Sequence, residues 1–269
     1  MADIEAIAGE AFAVLHTGRQ IAAFSQRYPD FTMADAYGVT DLVRRKREAG
    51  GERPIGRKIG FTNRTIWAEY DVYAPMWGFV YDSTVRNLGD LTSGFPLGRV
   101  AEPRVEPEVI FRFASAPSPD MDERALLGCI EWVSHGFEIV QSIFPGWKFS
   151  AADTVAAYGL HGALFIGPTH PVAGREDEWL ATLSRFEIDL YQDGAHIDHG
   201  RAANVMDGPV SALRHLVGLL ASDPLNPPLA AGEIVTTGTL TRAMPVAAGQ
   251  KWSTKLTGIE LEPVELQFR

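Results

Sequence analysis

Three carboxylates and one amine carry the chemistry that this sequence could do. Glu106 and Glu108 stand two residues apart in Arg104-Val105-Glu106-Pro107-Glu108-Val109-Ile110-Phe111-Arg112-Phe113, with Val105, Val109, Phe111 and Phe113 in the alternate positions. That alternation is a β-strand with one apolar and one acidic face. Side chains two apart on a strand are separated by about 6.5 to 7 Å along it, close enough to converge on one hard cation. A solvated acidic face on an edge strand explains the same pattern, and Pro107, which cannot donate to a ladder, suits an edge or a bulge. Glu138 is the third candidate, because it interrupts the apolar run Phe137-Glu138-Ile139-Val140 and a carboxylate in that setting needs a partner. Lys58 is the amine. Gly56 and Gly60 share its face in Ile55-Gly56-Arg57-Lys58-Ile59-Gly60, which leaves an open floor for a ligand, or else simply the solvated lysine of an edge strand. An oxygen-rich set of this kind suits Mg²⁺ or Mn²⁺ better than zinc or copper.

Other chemistries lack their motifs. The sequence has no Gly-x-Ser-x-Gly elbow, no Walker loop, no Gly-x-Gly-x-x-Gly after a strand and no His-Glu-x-x-His. Cys129 is the only cysteine, which excludes an intramolecular disulfide and a cysteine-based zinc site. With 34 acidic against 24 basic residues the net charge is −10, which argues against nucleic acid or an anionic membrane as partner. A small anionic substrate would need a local cation to hold it. The N-terminus lacks a basic start and an apolar run, and no apolar stretch approaches the roughly 20 residues of a membrane span. The expectation is a soluble, cytoplasmic protein.

The elements that position these groups follow from periodicity. Residues 3–16 have the spacing of an amphipathic helix, and Thr32 with Asp35 predicts a capping box opening a second helix that ends at Gly50-Gly51. The run Arg44-Arg45-Lys46-Arg47 then supplies cations to a helix C-terminus. Residues 55–62 predict a strand, Pro75-Met76-Trp77-Gly78-Phe79 a turn with an aromatic wall, and 137–142 another strand. Ser118-Pro119-Asp120 predicts the start of a helix running through Leu126, Leu127, Cys129, Ile130 and Val133. Asp193-Gly194 predicts a hairpin between residues 186–191 and 195–198, leaving His196 and His199 exposed rather than ligating. Pro209 opens a helix, and residues 234–239 and 259–268 read as closing strands. The organisation is α+β: a helical lobe at 1–51 and a mainly β catalytic body at 52–269.

The order of these pieces resembles the fumarylacetoacetate hydrolase superfamily, and within it the branch of 2-keto-4-pentenoate hydratases and 4-oxalocrotonate decarboxylases. Tyr28-Pro29 with Asp35-Ala36-Tyr37 is similar to the helical lobe of that branch. Arg57-Lys58-Ile59-Gly60-Phe61-Thr62 resembles its lysine motif, and Pro103-Arg104-Val105-Glu106-Pro107-Glu108 and Phe137-Glu138-Ile139-Val140 resemble the strands that bring glutamates to its metal. Gly238-Thr239-Leu240-Thr241 through Pro245, with Gly249, resembles its closing loop. The resemblance implies a mixed, rolled sheet assembled into homo-oligomers. It implies Glu106, Glu108 and Glu138 as ligands of Mg²⁺ or Mn²⁺, Lys58 as the catalytic residue, and Thr239 and Thr241 at the substrate. The implied substrates are small anionic 2-oxo acids. Hydration of 2-oxo-4-enoic (2-hydroxydienoic) acids, as in meta-cleavage catabolism of aromatic compounds, comes first. Decarboxylation, carbon–carbon hydrolysis and a non-catalytic partner subunit are the alternatives. Hydratases of this branch usually carry an aspartate after the proline that follows the lysine motif, whereas this chain has Met76, which cannot move a proton. Glu69, His135 and His161 stay open as substitutes.

Overall fold

The computed structural model describes residues 2–269. Three helices come first, α1 (Ile4–Val14), α2 (Phe24–Arg27) and α3 (Met33–Ala49), followed by β1 (Pro54–Gly60), α4 (Trp67–Tyr70), β2 (Met76–Tyr81), β3 (Val85–Asn87) and β4 (Arg104–Phe113). The middle of the chain supplies α5 (Glu123–Leu127), β5 (Ile130–Val140), α6 (Ala151–Ala156), β6 (His161–Pro171), α7 (Glu176–Leu183), β7 (Glu187–Gln192) and β8 (Ala195–Arg201). The last part adds α8 (Pro209–Ala221), β9 (Ile234–Thr236), β10 (Met244–Pro245), β11 (Lys251–Thr257) and β12 (Glu265–Gln267).

The strand carrying Glu106 and Glu108 lies inside a sheet. Its strands run β2-β1-β9-β4-β5-β6-β3, with β10 attached to β4, so β4 has neighbours on both sides. Pro107 is tolerated there because β9 pairs with β4 only from Ile110 to Arg112 and β10 only at Val105 and Arg104, leaving a gap. In that gap the Pro107 carbonyl accepts from the Leu240 amide at 3.0 Å, and the missing N–H orphans no ladder partner. β1 with β9 and β3 with β6 pair parallel; the remaining pairs are antiparallel.

The sheet is rolled. Val80 of β2 and Leu164 and Ile166 of β6 belong to one buried cluster with Ile110 and Ile234, although four strands lie between β2 and β6. Glycines allow the close curl: a Cβ on Gly136 would lie 2.0 Å from the Phe165 carbonyl, and one on Gly56 would lie 2.0 Å from that of Ile234. Alternation then sends Glu106, Glu108 and Ile110 inward and Val105, Val109, Phe111 and Phe113 outward.

Three layers cover the outside. α5, α7 and α8 pack on Ile59, Trp77, Phe79, Val109 and Phe111. A second antiparallel sheet, β12-β11-β7-β8, brings Leu190, Trp252 and Leu266 against Val105, Phe137 and Phe165. The N-terminal helices pack with α6 around Phe24, Phe144, Val155 and Tyr158. The predicted capping box is formed: Thr32 and Asp35 bond reciprocally at the start of α3.

Several boundaries differ from the sequence reading. The helix expected from Ser118 is only Glu123–Leu127, capped by Asp122, and Ile130 and Val133 already belong to β5, which places Cys129 in the connection. The stretch after Pro75 is strand rather than turn, buried throughout. Residues 259–268 contribute only the short β12, while β11 and β6 have no counterpart in that reading. The hairpin at Asp193-Gly194 forms as expected, both residues having positive φ. His196 and His199 are half exposed and share Asp189 Oδ1. No described helix is long and apolar enough to cross a membrane.

Candidate metal centre

Register brings the three glutamates together. Glu106 sits directly opposite Glu138 in the β4–β5 pair, and Glu108 lies one pleat further on the same face, opposite Gly136. One oxygen from each falls within 4.8 Å of the others, and all three side chains are buried. The solvated-strand explanation therefore does not hold for this face. Glu108 is gripped through Oε2, which accepts from the Thr236 hydroxyl and, at 2.8 Å, from the Gly238 amide. Gly238 needs to be glycine: its φ is +99° and a Cβ would collide with Thr62 Oγ1. Glu138 Oε1 faces His161 Nδ1 at 2.7 Å, and His161 Nε2 lies 2.8 Å from Thr84 Oγ1.

Lys58 reaches the same place from β1. Its Nζ is 3.1 Å from Glu138 Oε2, an ion-pair distance, though the approach is off the hydrogen-bond direction. The stem runs along a slot with glycine walls: a Cβ on Gly159 would come within 3.0 Å of Lys58 Cδ, and one on Gly60 within 3.3 Å of Nζ. Burial works against the charge on Lys58, but Glu138, Glu106 and Glu108 outweigh it and raise its pKa. Lys58 is thus held as an ammonium, which favours stabilisation of negative charge over proton shuttling.

Whether a cation fits is decided by the donors. Glu108 Oε1 and Glu138 Oε2 are buried without a hydrogen-bond partner. Burial, together with the Glu138 charge and against the pull of Lys58, pushes the Glu106 carboxyl up to about 7. Burial next to Glu138 and Glu106 raises Glu108 well above the carboxylate range. Burial would also raise Glu138, but Lys58 and His161 overcome it and keep Glu138 ionised. Three carboxylates, two of them with an orphaned oxygen, and one ammonium form an under-compensated acidic site, which suits a hard divalent cation.

An open cleft leads to this cluster. Lys58, Glu106 and Thr239 line its floor, and Phe61, Ile66, Tyr70, Val140, Trp147 and Leu160 line its walls. Thr241 is buried but lines a neighbouring surface cleft instead. Of the three substitutes for the absent aspartate, only His161 touches the cluster. His135 faces the second sheet, bonded to the Glu108 carbonyl at 2.9 Å and to Thr254 Oγ1 at 3.0 Å, and Glu69 pairs with Arg242 outside. Met76 shares the face of Lys58, being opposite Gly60 in register, but its sulfur accepts from the Thr154 hydroxyl of α6 within the lobe core. Thr236 and Thr84 carry no motif in the sequence, and Gly238 is named there only as part of the closing loop; small polar residues become supporting groups only once their carboxylate neighbours are known.

No family model matches the chain. Among known proteins it is similar to a 2-hydroxyhexa-2,4-dienoate hydratase of Comamonas testosteroni, 30% identical over 257 residues that cover 95% of this chain and 94% of the relative. It is also similar to a 4-oxalocrotonate decarboxylase of Pseudomonas sp. (strain CF600), 29% identical over 234 residues, 86% of this chain and 84% of the relative. In fold it matches the 4-oxalocrotonate decarboxylase of Pseudomonas putida G7, solved with magnesium and adipate. The TM-score is 0.87 at 24% identity, covering 99% of this chain and 97% of that one.

Proposed function

The chain belongs to the 2-keto-4-pentenoate hydratase and 4-oxalocrotonate decarboxylase branch of the fumarylacetoacetate hydrolase superfamily, and from its site we infer a metal-dependent hydro-lyase acting on 2-hydroxydienoic acids and their 2-oxo-4-enoic tautomers. The observation that carries this reading is the buried convergence of Glu106, Glu108 and Glu138 beside Lys58 at the floor of an otherwise largely apolar cavity. The three carboxylates would hold a divalent cation, Mg²⁺ or Mn²⁺ by the hardness of its oxygen donors. Such a cation, when bound, draws electron density from a 2-oxo group and its adjacent carboxylate.

The chain's own residues supply the rest. Lys58 keeps a positive charge beside the oxygen that becomes anionic as the diene is redistributed, and the glycine slot fixes where that charge stands. Thr236 and the Gly238 amide orient Glu108, and His161 orients Glu138. Thr239 lies at the floor where a carboxylate head would rest, and the aromatic walls keep water from the chain of the substrate except at the mouth. Homo-oligomer formation belongs to the same reading and is measured by light scattering.

Decarboxylation is the second reading, favoured by Met76, which leaves no aspartate at the position that assists water and proton steps in hydratases of the branch. The test is turnover of 2-hydroxypenta-2,4-dienoate, 2-hydroxyhexa-2,4-dienoate and 2-oxohex-3-enedioate with Mg²⁺ and Mn²⁺, following dienol absorbance, hydrated product and CO₂ separately. Hydrated product is expected. CO₂ without hydrated product makes decarboxylation the activity, and turnover of nothing by the metal-loaded protein makes it a non-catalytic partner subunit.

A further inference from the structure

A second cleft opens between the end of α1, the edge strand β3 and the loop that leads into β4, and it shares no lining residue with the cavity over the glutamate cluster. The side-chain groups left free in it are donors. Arg86 and Arg99 line it, and neither has a carboxylate within ion-pair distance or a hydrogen-bond acceptor among the described residues, in a chain of net charge −10. Glu52 is the one acid of the lining, and it is already engaged: Arg47 donates to both its oxygens, at 3.1 and 2.6 Å, and the Ser83 hydroxyl donates to Oε2.

His16 and Gln141 add two neutral N–H groups. Arg47 Nη2 lies 3.5 Å from His16 Nε2, and a guanidinium can only donate, so Nε2 accepts and the ring hydrogen sits on Nδ1, for which no described residue supplies an acceptor. Burial, reinforced by Arg47, holds the His16 pKa below its ordinary value and keeps the ring in this neutral form. Gln141, 4% exposed at the floor, gives one amide hydrogen to the His161 carbonyl at 3.1 Å and has no acceptor for the other among the described residues. Phe95, Pro96 and Val100 supply an apolar wall beside these donors. Two guanidiniums and two N–H groups around one space, with no free acid, form a receptor for an oxyanion, and the wall accommodates an organic body.

The floor of this cleft is connected to the metal centre. Thr84, also buried there, has its hydroxyl oxygen 2.8 Å from His161 Nε2, and His161 Nδ1 lies 2.7 Å from Glu138 Oε1. Gln141 holds the backbone of the same histidine. We propose that the cleft is a second binding site, which takes free phosphate or the phosphate group of a small ester between Arg86, Arg99, His16 and Gln141, and that Thr84 and His161 couple its occupant to the glutamate cluster. A tetrahedral oxyanion suits donors placed on several sides of the cleft better than a planar carboxylate, which accepts in one plane. The coupling, but not the site, rests on the metal reading of the cluster, and titration of the protein with Mg²⁺ alone separates failure of that reading from failure of the coupling.

The experiment is calorimetric titration of the intact protein with phenyl phosphate and with inorganic phosphate, first without metal and then saturated with Mg²⁺. Saturable one-to-one binding to the metal-free protein is expected, and the tighter of the two probes identifies the occupant as an ester or the free ion. Arg86→Gln and Arg99→Gln, both at exposed side chains, are each expected to weaken binding at least about tenfold, as for the loss of a charge-assisted hydrogen bond. Saturation with Mg²⁺ is expected to change the affinity for the tighter probe by at least about threefold in the wild type. That change is expected to vanish in Thr84→Val and to return in Thr84→Ser, which restores the hydroxyl. No saturable binding to the metal-free protein, or an affinity unchanged in both arginine variants, overturns the site. Binding that Mg²⁺ does not alter although Mg²⁺ itself titrates, or a Mg²⁺ effect that survives in Thr84→Val, overturns the coupling.

Discussion

At the scale of single residues, the glutamate cluster is a site whose members oppose one another until a cation arrives. Replacing Glu106 or Glu108 by glutamine removes a charge at nearly constant shape, and each variant is expected to lose at least about tenfold in divalent-metal affinity by calorimetry with unchanged circular dichroism. Unchanged affinity in both would place the metal elsewhere. The same opposition gives a pH dependence. Glu106, pushed up from 4.5 to about 7, and Glu108, also raised well above the carboxylate range, keep protons in the folded state that the unfolded chain has already released. The stability they allow the metal-free protein is complete below the ordinary carboxylate range and is lost as pH rises through about 7. The gain in melting temperature on adding Mg²⁺ is therefore expected to be larger at pH 8 than at pH 5; the reverse order would contradict this account of the cluster. Lys58 separates charge stabilisation from metal binding. Its removal leaves the acids less compensated, so Lys58→Ala is expected to keep or raise metal affinity while kcat falls by about 10²-fold or more. Parallel losses of both would make Lys58 a structural counter-ion.

At the scale of elements, β2 shows where a close neighbour decides a residue's role. Met76 follows the proline at which the branch's hydratases usually have an aspartate, yet α6 closes over it and Thr154 donates to its sulfur. A carboxylate there would be desolvated in an apolar core, so Met76→Asp is expected to cost about 2 to 4 kcal/mol of stability and to yield no gain in kcat. Chemical denaturation with product analysis checks both, and a stable, faster variant would show that the position opens to the cavity. Elements were legible in proportion to how local their causes are. The Thr32–Asp35 box, the Asp193-Gly194 hairpin and the alternation at Glu106 and Glu108 each depend on a few adjacent side chains, and all three are formed. β6 was missed because Gly162-Ala163-Leu164-Phe165-Ile166 is buried on both faces and shows no alternation. The helix predicted from Ser118 overruns its observed end at Leu127 because Ile130 and Val133 keep a helical spacing while taking their places in β5. The three glutamates could be named from sequence; the grip of Thr236 and Gly238 on Glu108 could not, since strand register and a positive φ create it.

At the scale of the whole molecule, the question is whether the helical lobe is a separate unit. A boundary near residue 51 follows from the change of texture, but the contacts run across it. Arg47, one of the cations expected at the C-terminus of α3, is almost fully buried, pairs with Glu52 at 2.6 Å and lies 3.5 Å above the Tyr81 ring of β2. The Tyr158 hydroxyl donates to the Ala11 carbonyl, Thr40 Oγ1 to that of Val155 at 3.2 Å, and Ser25 to Asp153. Tyr158 begins the left-handed turn Tyr158–Leu160, whose Gly159 walls the Lys58 slot, so the lobe presses on the residue chain that fixes the amine. Left-handed backbone at Tyr158 and Leu160 is costly for residues with a Cβ, by about 1 kcal/mol or more each, and persists only where surrounding contacts hold it. One of those contacts is the lobe's, the Tyr158 hydroxyl on the Ala11 carbonyl. Unfolding of residues 1–51 would therefore release the turn and strip Phe144, Val155 and Tyr158 of cover at once. Scanning calorimetry of the intact protein is expected to show a single cooperative transition that Mg²⁺ moves as a whole. Two resolved transitions, with the metal shifting only the upper one, would mean that the lobe melts independently and that the geometry around Lys58 does not depend on it.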